Sequence, residues 1–80
     1  MFRIPEFCEV EMSFQEAWNM MTRLGGGDCL TGMKTMDRMW SEYCASDDLN
    51  DDEFFFHWGH EFSAYNIVYE GMSELFGEAA

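Results

Sequence analysis

Two histidines three residues apart, His57 and His60, are the nearest approach to a metal-ligand pair in this 80-residue chain. On a helix, positions i and i+3 share a face and can hold a zinc ion, with Glu61 or Cys44 as further ligands. The pair lacks the H-E-x-x-H arrangement and straddles Gly59, so ordinary surface or core-edge histidines are the weightier reading. Asp48, Asn50 and Asp52 match positions 1, 3 and 5 of an EF-hand calcium loop. Its turn glycine is replaced by Glu53 and its closing glutamate by Gly59, so the two defining positions fail. A helix N-cap followed by acidic first-turn residues explains the same stretch. Gly25-Gly26-Gly27 has no preceding strand and no Gly-Lys-Ser, so it is not a phosphate loop. No serine, cysteine and histidine constellation has a recognisable spacing. The expectation is a protein that is not an enzyme and uses no cofactor and no metal.

The chemistry that the chain offers in quantity is negative charge. Its formal net charge is −12, and all four bases, Arg3, Arg23, Lys34 and Arg38, lie in the first half. Beyond Arg38 come Glu42, Asp47, Asp48, Asp51, Asp52, Glu53, Glu61, Glu70, Glu74 and Glu78, with no base among them. The same stretch is rich in Phe, Trp and Tyr, and a hydrophobic content of 48% is incompatible with a disordered acidic tail. A folded aromatic core bearing one sign of charge generates a directional field. Glu70, Glu74 and Glu78 recur every four residues, so on a helix they form a row with a spacing of ~6 Å. A DNA strand carries a phosphate every ~3.4 Å of rise, and a carboxylate row imitates part of that line. Like charges four apart on a helix cost ~0.2–0.5 kcal/mol per pair, and here no lysine relieves them. An ordinary solvated face is the plainer explanation of these three residues alone.

This balance excludes direct nucleic-acid binding and attraction to anionic membranes. It leaves basic protein surfaces or cations as targets. The three cysteines, Cys8, Cys29 and Cys44, are odd in number and contain no C-x-x-C pair, which reads as free thiols in a reducing compartment. No run is long and apolar enough to span a bilayer. Glu6 follows directly on Met1-Phe2-Arg3-Ile4-Pro5, which does not fit a signal peptide. The localisation expected is cytoplasmic.

These residues must be positioned by helices. Residues 1–12 read as an extended arm, broken by Pro5, in which Cys8, Val10 and Met12 alternate with Glu9 and Glu11. Ser13 to Glu16 forms a capping box, and Phe14, Ala17, Trp18, Met21 and Leu24 repeat at helical spacing until the three glycines stop the helix. A second helix starts near Asp28 or Thr31 and carries Met33, Met36, Trp40 and Tyr43 on one face. Ser46 to Asp52 is a polar break, and Asn50 or Asp51 caps a third helix. There Phe55, Trp58, Phe62, Tyr65, Tyr69, Met72 and Phe76 make a long seam, with Gly59 a point of bending or splitting. The expected fold is mostly α: a single domain, residues 1–80, forming a small three-helix bundle with an extended N-terminal arm. Its helices run near 14–24, 31–45 and 51–77.

On this plan Trp18, Met36, Trp40, Phe62, Tyr65 and Tyr69 are core. Glu61 falls on the apolar face and calls for a rim position or an ion pair with Arg23 or Arg38. Met21, Met33 and Met36 fill the core, whereas Met20 and Met39 are less readily placed.

In length, acidity, aromatic content and lack of catalytic motifs the whole chain resembles the phage-encoded inhibitors of host defence that act as DNA mimics. That group includes anti-CRISPR and anti-restriction proteins. The resemblance is one of profile, without a shared motif. It implies a monomeric or homodimeric protein that docks its acidic face on the Lys and Arg residues of a basic nucleic-acid-binding protein or a CRISPR-type surveillance complex. Target DNA is then kept out. The residues read as partner-binding are Glu42, Asp47, Asp48, Asp51, Asp52, Glu53, Ile67, Glu70, Glu74 and Glu78, with Ile67 as an outward apolar anchor beside Glu70 and Glu74. Two alternatives stand beside it. One is an acidic adaptor or antitoxin-like module that covers a basic partner without mimicking DNA. The other is a small helical metal-binding protein.

Overall fold

The structure, a computed structural model, describes residues 2–75. A 3-10 turn at Glu6–Cys8 precedes three helices: α1 (Phe14–Leu24), α2 (Cys29–Cys44) and α3 (Asp51–Leu75). No strand occurs among the described residues.

Local sequence sets each helix end. The Glu16 N–H donates to Ser13 Oγ at 3.1 Å, and the Ser13 N–H donates to Glu16 Oε1 at 3.4 Å, completing the capping box of α1. At the other end Gly26 (φ 70°) and Gly27 (φ 116°) take left-handed backbone that a side chain would oppose. The Gly27 N–H then reaches Thr22 O at 2.8 Å and closes the helix. Of the two expected starts, Asp28 and Thr31, helix α2 takes the earlier. Asp28 is its N-cap, accepting hydrogen bonds from the Thr31 N–H (3.2 Å) and Thr31 hydroxyl (2.6 Å), so Cys29 is already helical and buried. Asn50 caps α3 by accepting from the Glu53 N–H at 3.2 Å. The seam residue Phe76 lies outside the described residues.

Helix α3 is the organising element. Its 25 residues at 1.5 Å each amount to about 37 Å, matching the longest dimension of the molecule, 37 Å. Gly59 does not split it. In its middle α3 is buried around most of its circumference rather than along one seam, with His60 left exposed. Phe55, Phe62 and Tyr65 are covered on one side, Ala64 and Val68 on another, and Gly59 and Ser63 on a third. A helix buried on several faces is the expected centre of a small fold.

Helix α1 packs closely on both α2 and α3. Gly32 permits the α1–α2 approach, because a Cβ there would collide with the Met21 carbonyl. Helices α2 and α3 lie farther apart, and aromatic rings fill the space between them. Trp40 of α2 stacks on Phe55 of α3 at 5.5 Å, and the Phe2 ring inserts edge-on against Trp40 (5.3 Å), Phe62 (4.6 Å) and Tyr65 (4.9 Å). The Tyr65 hydroxyl donates to Asp37 Oδ1 at 2.8 Å and ties the two helices together. Burial of Phe55, Phe62, Met21, Met36 and Val68, the largest enclosed side chains, contributes ~1.5–3 kcal/mol each.

The arm is not a simple extended strand. It doubles back along α3. Phe2 is bonded to Asn66, the 3-10 turn brings Cys8 down on Gly59, and the Val10 N–H returns to donate to Ser63 Oγ at 3.0 Å. Phe14 then sets its ring on Gly71. The alternation read from the sequence holds. Cys8 is buried, Val10 and Met12 are half-buried, and Glu9 and Glu11 are exposed.

Three core expectations need correction. Tyr69 is 47% exposed, because at its level of α3 neither the arm nor α2 covers that side; its ring stacks on Tyr65 at 6.2 Å. Trp18 and Trp40 are half-buried, their wide rings forming the edge of the core. Met20 and Met39, less readily placed from the sequence, pack against the core as partly buried residues.

Candidate acidic interaction surface

The acids of the second half fall into two groups, at opposite ends of α3. Glu42, Asp47, Asp48, Asp51, Asp52 and Glu53 are all exposed and surround the α2–α3 connection and the first turn of α3. Carboxylates in a first turn face the partial positive charge of the helix N-terminus, so Asp51, Asp52 and Glu53 stabilise the helix while building the charge. The Tyr43 hydroxyl donates to Asp51 Oδ1 at 2.7 Å, and the Tyr43 ring stacks on Phe54 at 4.2 Å. Loss of water contact, reinforced by the Asp51 hydrogen bond, pushes the Tyr43 phenol up to about 12.

Beside this pair is a cleft of about 550 Å³, bounded by Tyr43, Phe54, Phe56 and Trp58 and rimmed by Asp48 and Glu53. Phe56 is 79% exposed. Sequence reading overlooked it, although a signal was present. Phe54, Phe55 and Phe56 are consecutive, and three consecutive helical residues fan over ~200°, so they cannot all face one core.

The second group lies toward the other end. Glu70 and Glu74 are exposed on the side away from Tyr65, as their spacing predicts. Glu78 lies outside the described residues. The row is enlarged by two acids that the sequence did not assign to it. Glu9 and Glu11 of the arm line the same groove as Glu70, a space of about 920 Å³ floored by Ser63, Asn66 and Ile67. Arg3 is also on its wall, so this group is less purely acidic than the first. Ile67 is therefore not a free outward anchor. The returning arm half-buries it, and it packs against the core.

The two groups do not merge. From Asp52 to Glu70 the helix rises roughly 27 Å. The two clusters read from the sequence are thus two separate patches on one helix.

The remaining candidates lie apart from these two patches or within their helical frame. Asp51 and Asp52 are already helical, so the calcium-loop spacing is a capped helix start. His57 and His60 are exposed, and no group of three His, Cys, Asp or Glu side chains among the described residues is placed to hold a metal ion. Glu61 is half-buried at the rim. Cys8 and Cys29 are buried, Cys44 is exposed, and all three are free. Burial raises the Cys29 thiol above its ordinary value. No helix among the described residues is long and apolar enough to cross a membrane.

Fold and surface together define a three-helix, all-α protein with two acidic patches on its longest helix. The chain matches no family model, none of the curated proteins and none of the solved structures.

Proposed function

We propose that the protein is a non-enzymatic inhibitor that occupies a basic nucleic-acid-binding surface on another protein, of the kind that holds target DNA in a CRISPR-type surveillance complex. One observation carries the proposal. Eight carboxylates, Glu42, Asp47, Asp48, Asp51, Asp52, Glu53, Glu70 and Glu74, are exposed at the two ends of one helix, in a stretch without a single Lys or Arg. Along the helix they run from Asp51 to Glu74, roughly 35 Å, which corresponds to about ten phosphate rises along one DNA strand. A host surface built to clamp phosphates with Lys and Arg would meet charge of the right sign over the right length. Complementary charge speeds encounter, and desolvated apolar contacts slow release.

The test is a competition. Purified surveillance complexes are loaded with labelled target duplex, with and without the protein, at low and high salt. The expected result is loss of DNA binding that weakens as salt rises, because screening acts over ~10 Å at 0.1 M. Asp47→Lys with Asp48→Lys, and separately Glu70→Lys with Glu74→Lys, should each weaken inhibition, and the four together should abolish it. These positions avoid the first turn of α3, where a lysine would oppose the helix dipole. Inhibition that ignores salt and survives all four reversals would refute the proposal. Tight binding to a basic partner without displacement of DNA would instead mark an acidic adaptor or antitoxin-like module.

A further inference from the structure

We infer that the aromatic cleft at the head of α3 receives an arginine side chain from the basic partner, and that this end of the molecule is the anchor of the interface. The inference rests on the proposed reading that the partner presents a basic surface, and it names the group recognised. Tyr43, Phe54, Phe56 and Trp58 bound the cleft, with Asp48 and Glu53 on its rim. Phe56 has no role in the core that would account for its position. It is 79% exposed, while Phe55 beside it is fully enclosed. Phe7, on the 3-10 turn that docks at Gly59, is 71% exposed, and Leu49, just before the helix, is 59% exposed. Large apolar side chains left in water next to so many carboxylates fit a surface that a partner completes.

The chemistry of the cleft selects the occupant. Aromatic faces attract a cation held within about 6 Å, and more strongly once water is excluded. A guanidinium is flat, weakly hydrated and able to stack on a ring while its edge donates two hydrogen bonds to a carboxylate. Asp48 and Glu53 line the same cleft as the rings and supply the carboxylates. A lysine ammonium is compact and strongly hydrated, and it stacks less well. No Lys or Arg lines the cleft, and the one basic side chain on it is His57, whose ring packs edge-on against Trp58 at 4.7 Å. The groove at the other end of α3 differs on this point. Its wall contains Arg3 together with Glu9, Glu11 and Glu70, so a cation of the chain's own already shares that groove. The two acidic patches are therefore unequal, the first anchoring and the second steering.

The experiment uses a twelve-residue peptide carrying three arginines, the same peptide with citrulline in their place, and a third with lysine. Each is titrated into the full chain while the Trp58 indole signal is followed by NMR. Citrulline keeps the shape of arginine and removes its charge. The arginine peptide should shift the Trp58 signal saturably, the lysine peptide should bind more weakly, and the citrulline peptide should leave it unmoved. Phe56→Ala, at a position too exposed to endanger the fold, should weaken arginine-peptide binding about three- to tenfold. Asp48→Asn with Glu53→Gln should do the same. Equal binding of the arginine and lysine peptides, or of the arginine and citrulline peptides, or an unchanged affinity in Phe56→Ala, overturns the inference. If the citrulline peptide binds as well as arginine while the protein still displaces DNA in a salt-dependent way, the cleft assignment alone is lost. If arginine is selected and Phe56→Ala weakens it, but no surveillance complex releases DNA, the cleft stands and the proposed function is lost.

Discussion

The side-chain amide of Asn66 clasps the backbone of Phe2. Its Oδ1 accepts from the Phe2 N–H and its Nδ2 donates to the Phe2 carbonyl, both at 2.8 Å. This one residue gives the chain end a two-bond ladder such as a neighbouring strand would provide. It holds the Phe2 ring between Trp40, Phe62 and Tyr65, where α2 and α3 would otherwise leave a gap.

The clasp should therefore be a stability determinant out of proportion to its place near the chain end. Asn66→Ala removes two part-buried hydrogen bonds, each worth about 1 kcal/mol, and should cost roughly 2 kcal/mol in urea unfolding. Phe2→Ala should cost about 2–4 kcal/mol through the cavity it opens between the helices. Parent-like stability in both variants would show that the arm is not part of the core.

Phe62 and Tyr69 lie on the same stripe of α3 and should respond differently. Phe62 is fully buried among Phe2, Phe54 and Phe55, and Phe62→Ala should cost ~3–5 kcal/mol. Tyr69, 47% exposed, should tolerate alanine at a cost below about 1.5 kcal/mol, since little area returns to water. Denaturant midpoints of the two variants measure the contrast.

Glycine substitutions should separate helix propensity from close packing. Alanine favours a helix over glycine by ~1 kcal/mol. At Gly59, however, the new Cβ would lie 2.5 Å from the Cys8 carbonyl oxygen, and at Gly32 it would strike the Met21 carbonyl. Both contacts are with backbone that cannot step aside, so Gly59→Ala and Gly32→Ala should destabilise by a net ~1–3 kcal/mol. At Gly71 the obstacle is the Phe14 ring, which borders solvent and can rotate away, so Gly71→Ala should be the mildest of the three. Thermal melts of the series rank them.

Stability should decline at alkaline pH. Burial first, and then the Asp37 hydrogen bond, raise the Tyr65 phenol well above its ordinary value, and Tyr43 is pushed up to about 12. The folded state holds these protons more tightly than the unfolded chain. The resulting stabilisation is complete below pH ~10 and is lost as pH rises through the folded values. Urea unfolding measured between pH 8 and 12 should show this loss, and Tyr65→Phe should reduce it. An unchanged alkaline slope in that variant would mean that Tyr65 is not protected.

The sequence by itself determined what depends on neighbours within a turn or two. The capping box at Ser13 and Glu16, the glycine stop after Leu24, the Asn50 cap and the single buried face of α2 are local matters of hydrogen bonding and 3.6-residue periodicity. The sign of the charge was legible too, since no base follows Arg38. Tertiary structure decided what depends on residues far apart in the chain. Gly59 reads locally as a helix breaker, but Cys8 occupies the space its missing side chain leaves, and α3 continues unbroken through it. Ile67 and Tyr69 exchanged the environments that periodicity assigned them, because the returning arm covers one side of α3 and leaves the other open. The acidic half became two patches because 1.5 Å of rise per residue accumulates along an unbroken helix. Periodicity gives each residue an angle on its helix. Only the packed fold decides which angles are covered and how far apart the exposed ones end up.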